Sequence, residues 1–221
     1  MKSTGLLRPL LLADTTDPRQ RQFGPALVLG DVFQCLPHPS LVNIAPRIIT
    51  VGGRYDGALR TAILGWKESR WPGPADDFAD MIAAGIRASG PTLPGRQILV
   101  VPVPSTVTSR VVRGGDLVWD LAQRAASRTV SGASPRRLLL RRRGRDQVGL
   151  SAQSRIANAS ASYVARRRSP ADDPVLLIDD VVTTGATLTA CAMALSRRGW
   201  LVAGAVVLCG TKVRPWTPPC P

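Results

Sequence analysis

VLLIDDVVTTGAT, residues 175–187, is the stretch on which the fold turns. Its first four residues, Val175, Leu176, Leu177 and Ile178, are all apolar. A run with no polar alternation is what a strand buried on both faces requires. Asp179 and Asp180 follow at its carboxyl end, and Thr183, Thr184, Gly185, Ala186 and Thr187 lead into a helical pattern over residues 186–198. In an open α/β sheet the carboxyl ends of the strands are where ligands bind.

Two adjacent carboxylates at such a position are costly unless a partner needs them. The vicinal hydroxyls of a ribose are such a partner, being donors that adjacent acceptor oxygens can hold. The first amides of the following helix have no intrahelical acceptor and point outward. With the Thr hydroxyls they form a nest for a phosphate, and Gly185 lets the backbone approach closely. An ordinary strand-to-helix turn would use one Asp or one Thr as a cap; it does not call for two acids followed by TTGAT. Other phosphate motifs are missing: the chain has no GxxxxGK[ST] and no GxGxxG opening a helix.

Working outward, residues 48–51 read as a short strand ending at Gly52 and Gly53. Residues 57–70 read as a helix with Leu59, Ala62, Ile63 and Trp66 on one face. After the breaker WPGP, a second helix is expected over 75–89, with Asp76 and Asp77 at its start, Arg87 near its end and Gly90 stopping it. Residues 98–103 and 201–209 are further apolar runs of the buried-strand type. Helices are expected over 115–128 and, capped by Ser151, over 151–166; residues 138–140 read as a short strand and 141–149 as a mobile basic loop. Strands alternating with helices predict an α/β fold, a parallel sheet flanked by helices. The domain division expected is an irregular segment over 1–46, the α/β domain over 47–212 and a Pro-rich tail over 213–221.

The length of 221 residues suits one such domain, and 44% hydrophobic residues supply a core for it. The net charge of +14 is carried almost wholly by arginine, with lysine only at Lys2, Lys67 and Lys212. A GC-rich codon bias accounts for that usage; an Arg-rich surface also suits phosphorylated ligands or nucleic acid. Cys35, Cys191, Cys209 and Cys220 form no CxxC pair, so neither a zinc site nor a disulfide framework is expected. A cytoplasmic location is the default for such cysteine usage. The apolar run 10–13 is too short for a membrane span. Trp66, Trp119 and Trp200 are expected in the core.

The segment VLLIDDVVTTGAT resembles the motif of type I phosphoribosyltransferases, which bind phosphoribosyl pyrophosphate with Mg²⁺. The resemblance implies that Asp179 and Asp180 hold the ribose hydroxyls and that Thr183, Thr184, Gly185, Ala186 and Thr187 hold the 5′-phosphate. Three further stretches, RYDGALRTAILGWKESR (54–70), VVPVPSTVTSRVVRGGD (100–116) and QVGLSAQSRIAN (147–158), resemble segments of ComF-type, competence-associated phosphoribosyltransferase-like proteins, in the same order. By that resemblance Pro104, Ser105 and Thr106 form the pyrophosphate loop, with Arg110 and Arg113 as nearby cations and Lys67 at the family's LK position. Magnesium would be held mainly by the ligand. The chain departs from the pattern twice. It has only Cys35 and His38 where those proteins carry a zinc finger, and it reads RGGD (113–116) in place of RGFNQ.

Two functions follow. One is transfer of phosphoribose to a nucleobase-like acceptor, which the sequence does not name. The other is a non-catalytic competence or recombination factor that keeps the ribose-phosphate site and binds nucleic acid weakly, through dispersed arginines and with steep salt dependence. A homodimer is compatible with either, and no membrane partner is expected. One Cys and one His cannot fill a four-coordinate site, so elemental analysis of the purified protein is expected to find no stoichiometric zinc. One zinc per chain would overturn that reading.

Overall fold

The structure, a computed structural model, describes residues 34–37, 48–68, 73–89, 97–106, 111, 114–129, 132–142, 162–166 and 173–211. In chain order these form β1 (Gln34–Pro37), β2 (Ile48–Val51), α1 (Gly57–Glu68), α2 (Ala75–Ser89), β3 (Leu99–Pro102), α3 (Leu117–Ser127), β4 (Ser134–Pro135), β5 (Leu139–Arg141), β6 (Tyr163–Ala165), β7 (Pro174–Val182), α4 (Ala186–Ser196) and β8 (Leu201–Gly210). Among the described residues the main sheet runs β1-β2-β8-β7-β3-β4, and β5 and β6 form a separate two-stranded sheet. The five strands from β2 to β4 pair in parallel; β1 joins the β2 edge antiparallel. This is the expected α/β architecture, a phosphoribosyltransferase-like parallel sheet flanked by helices.

Successive strand residues face opposite sides of a sheet, and β7 shows why its sequence cannot alternate with polar residues. Val175 and Leu177 join a core with Leu99, Val101, Ala205 and Val207 beneath α4 and the antiparallel β5–β6 pair. Leu176 and Ile178 join a second core with Val100, Val206 and Leu208 beneath α1, α2 and α3. That second core holds Phe78 and Trp66 edge to face, with ring centroids 5.4 Å apart. Burying a large apolar side chain on either face contributes about 1.5–3 kcal/mol, so both layers hold the same strand in place.

Helix bounds fall close to those the sequence predicts, and the capping chemistry explains them. Gly199, at φ 80, follows α4 and stops it. The RGGD departure also has a structural account. Gly114 takes a positive φ of 64, and the Asp116 carboxylate caps α3 by accepting the Trp119 amide at 3.4 Å. The Arg137 guanidinium, 3.5 Å from Asp116, lies 4.2 Å from the centroid of the Trp119 ring. Trp119 is therefore a half-buried platform for a cation, while Trp66 and Trp200 are core residues as expected.

Three expectations are corrected. Residues 163–165 form β6, where a helix was expected up to 166, because Leu139, Leu140 and Arg141 offer them an antiparallel ladder. The expected irregular lead-in contains β1, which pairs with β2 from Gln34↔Val51 to Pro37↔Ile48. Strand β7 extends past Ile178 to Val182, because β8 continues beside it with Asp179↔Val207, Val181↔Cys209 and Val182↔Gly210. The basic loop beyond residue 142, the segment 151–161, His38 and the tail 213–221 lie outside the described residues.

Gly52 leaves β2 through a crowded gap: a Cβ there would stand 2.7 Å from Met81 Cε and 2.8 Å from the Leu208 carbonyl oxygen. The Met81 methyl can move, but the Leu208 backbone is fixed in β8. Gly52→Ala is therefore expected to cost roughly 1–3 kcal/mol, seen as a lower urea midpoint at unchanged slope. An unchanged midpoint would show that β8 yields.

Candidate functional site

The carboxyl edge of β7 carries Asp179 and Asp180 inside the sheet ladder, beside the loop that leaves β3. Register pairs Pro102 with Ile178, and the Val103 amide donates to the Ile178 carbonyl at 2.8 Å. Pro104, Ser105 and Thr106, all half-buried, thus leave β3 next to the two acids. Beyond Val182 the chain turns into α4. Thr183, Thr184 and Thr187 are exposed, Ala186 is half-buried and Gly185 is buried.

Gly185 is the N-cap of α4, in the left-handed region at φ 74, and no side chain caps the helix through it. A Cβ would be strained in that conformation. Its carbonyl accepts both the amide of Thr189, at 2.9 Å, and the Thr189 hydroxyl, at 3.0 Å, which fixes the first turn. The Thr184 hydroxyl lies 3.4 Å from the Ala186 amide. The start of α4 therefore presents amides and threonine hydroxyls to solvent, with the positive end of the helix dipole behind them.

The two carboxylates leave the strand on opposite sides. Asp180 reaches towards α1, where its Oδ2 is 2.7 Å from Lys67 Nζ; the two side chains are only 14% and 19% exposed. Asp179 lies on the side of Tyr163 and Cys191, and its Oδ1 accepts the Asp180 amide at 2.9 Å. Burial pushes the Asp179 carboxyl well above the usual carboxylate range and the charge of Asp180 pushes the same way. The Asp180 amide and Lys67 oppose them. One strand thus carries an acid held by an ammonium beside an acid that resists ionisation.

Groups that the sequence did not single out complete the surroundings. Burial raises the Tyr163 phenol to about 12, with Cys191 and Asp179 adding to the effect and Arg141 opposing it. The Arg141 guanidinium stands 5.6 Å from the Tyr163 ring centroid. On the other side Cys209, its thiol also raised to about 12, chiefly by burial, donates to the Asp180 carbonyl at 3.7 Å. Tyr163 was hidden because residues 151–166 read as helix, and no motif marks the two cysteines. Of the expected site residues, Lys67 and both aspartates are brought together, and the 104–106 loop and α4 start lie at the same sheet edge. Arg110 and Arg113 lie outside the described residues.

Comparison with known proteins gives a family match over part of the chain. Residues 120–218 match the phosphoribosyl transferase domain family. No curated protein matches the chain. A solved hypoxanthine phosphoribosyltransferase from Staphylococcus aureus is similar at 13% identity and a TM-score of 0.33, over 61% of this chain and 61% of that one. This chain thus spans less than two thirds of that protein. Among the described residues no helix is long and apolar enough to cross a membrane. The parallel sheet of β2 to β4 with helices on both faces, together with the match over residues 120–218, gives the chain a phosphoribosyltransferase-like fold with a phosphoribosyl transferase domain match across its Asp179–Asp180 strand.

Proposed function

We propose that the chain binds phosphoribosyl pyrophosphate, or a related ribose phosphate, at the carboxyl edge of β7, and that it is a ComF-type phosphoribosyltransferase-like protein. The observation that carries this reading is one strand-turn-helix unit. Asp179 and Asp180 lie near the carboxyl end of the buried strand, and after Val181 and Val182 comes a glycine-capped helix start with exposed Thr183, Thr184 and Thr187. The acids accept the ribose hydroxyls, and the amides and hydroxyls of 183–187 hold the 5′-phosphate. Pro104, Ser105 and Thr106, beside them, face the pyrophosphate, with Arg110 and Arg113 as cations for the charge that grows on it when the bond to the sugar breaks.

Among the described residues no group of three or more His, Cys, Asp or Glu side chains is arranged to hold a metal ion, and Asp180 is already paired with Lys67. This donor set fits Mg²⁺ carried on phosphate oxygens, as the ion prefers, and the ion would neutralise charge on the leaving group. Transfer to a nucleobase-like acceptor is the reaction this arrangement serves. A second reading, a non-catalytic factor that binds nucleic acid weakly, draws on the +14 charge and on the exposed Arg136, Arg137, Arg141, Arg142 and Arg166 around β4, β5 and β6. Pyrophosphate release measured beside salt-dependent DNA filter binding separates the two.

Changing Asp179 and Asp180 together to Asn keeps their size and removes their charge. A hydrogen bond to a charged group contributes ~1.5–3 kcal/mol, so titration of the double variant with phosphoribosyl pyrophosphate and Mg²⁺ should show affinity lower by roughly a hundredfold or more. Retained affinity in a destabilised protein would mean the acids are structural.

Asp179 alone gives a separate expectation for stability. Its folded-state pKa stands above its unfolded value, so the fold's advantage is complete below the unfolded pKa, about 3.9, and is lost as pH rises through the folded pKa. Asp179→Asn should therefore melt higher than the wild type at neutral pH, with the two curves converging in acid. A variant that melts lower at neutral pH would show that the carboxylate is stabilising instead.

A further inference from the structure

Lysine, scarce in this arginine-rich chain, supplies the ion pair with the least exposed partners among the described residues. Only three of 29 basic residues are lysine, and one of them, Lys67, is the residue that meets Asp180. Among the described residues it alone forms an ion pair with either aspartate. The other paired acids, Asp56, Asp76, Asp80 and Asp116, all pair with arginine. Arginine offers a planar fork, whereas an ammonium is a compact, strongly hydrated point charge with freely aimed donors. In those respects it resembles a small inorganic cation.

The location of the pair strengthens the comparison. Lys67 projects from the last turn of α1, next to Trp66, which is buried in the core beneath that helix. The ammonium is thus delivered to the sheet edge by a rigid element, and it contacts Oδ2, one of the two carboxylate oxygens. A carboxylate holding one cation through one oxygen still has lone pairs to accept a hydroxyl proton. Without the ammonium, two adjacent acids at a half-buried edge would repel each other, and one would take up a proton or attract a metal ion.

We propose that Lys67 is a positioning residue, a built-in monovalent cation that holds the Asp180 carboxylate aimed at a ribose hydroxyl, so that the sugar-phosphate half of the ligand binds without a divalent ion. This rests on the ribose-phosphate reading of the site. It divides the electrostatic work: Lys67 serves the sugar end, and Mg²⁺ is needed only where pyrophosphate is present.

The test is calorimetric titration of the full chain with ribose 5-phosphate, in EDTA and in millimolar Mg²⁺, with thermal unfolding alongside. Wild type should bind equally in both conditions. Lys67→Met should bind roughly tenfold or more weaker in EDTA and recover most of that loss in Mg²⁺, because the metal ion can then stand beside Asp180 in place of the ammonium. Lys67→Gln, which keeps an N–H donor but no charge, should behave the same way and decides the matter if the Met variant does not fold. Variants that bind as tightly as wild type in EDTA would overturn the proposal. So would variants that lose binding equally with and without Mg²⁺ while melting lower, the result of a purely structural lysine. Wild type that fails to bind ribose 5-phosphate in either condition would overturn the ribose-phosphate reading itself, and the role of Lys67 with it.

Discussion

Burial of β7 on both faces is the constraint from which the rest of the structure follows. A strand covered by α4 and the β5–β6 pair on one side and by α1, α2 and α3 on the other has no room for a polar side chain until the cover thins. It thins after Ile178, where three half-buried residues precede the buried Val182. The next two residues can be acids because they stand at the rim, where water, Lys67 and any ligand reach them. The sheet thereby sets the depth of the site to within one residue: an acid at position 178 would be entombed.

Electrostatics at that rim are asymmetric because strand geometry makes them so. Side chains one residue apart diverge, and here they diverge into different surroundings, an ammonium for Asp180 and a phenol and a thiol for Asp179. Two acids of identical chemistry therefore meet different surroundings, and burial together with the neighbouring carboxylate pushes Asp179 well above the usual carboxylate range. A group so perturbed is characteristic of functional sites. The half-buried setting makes each partner count for more than it would at the surface.

Legibility in the sequence followed locality. Strands β2, β3, β7 and β8 and helices α1 to α4 announce themselves through apolar runs, 3.6-residue spacing and capping residues, all of which act within a few positions. The Asp179–Thr187 arrangement was legible for the same reason, since a single strand-turn-helix unit contains it. What escaped depended on distant partners. β6 reads as helix until Leu139, Leu140 and Arg141 supply its ladder, and β1 reads as irregular until β2 pairs with it. The extension of β7 to Val182 exists only because β8 runs alongside. Lys67 drew notice as a rare residue, but its bond to Asp180 joins elements far apart in the chain, and no spacing rule could predict it. Asp116 needed Arg137 and the α3 amides before RGGD made structural sense.

The connectivity β7–α4–β8 has a consequence for how the chain acquires its shape. Those two strands are joined through one helix, while β7 meets β3 across a long stretch of chain, as the pairing of Leu99 with Val175 shows. Closing a short connection costs less entropy than closing a long one, and contacts local in sequence form faster. Asp179, Asp180 and the turn over residues 183–187 all lie inside this locally wired unit. The α1 layer, with its lysine, reaches the same strand only across a long stretch of chain, so the pair of Lys67 with Asp180 closes a far longer loop than the strand pairing it meets.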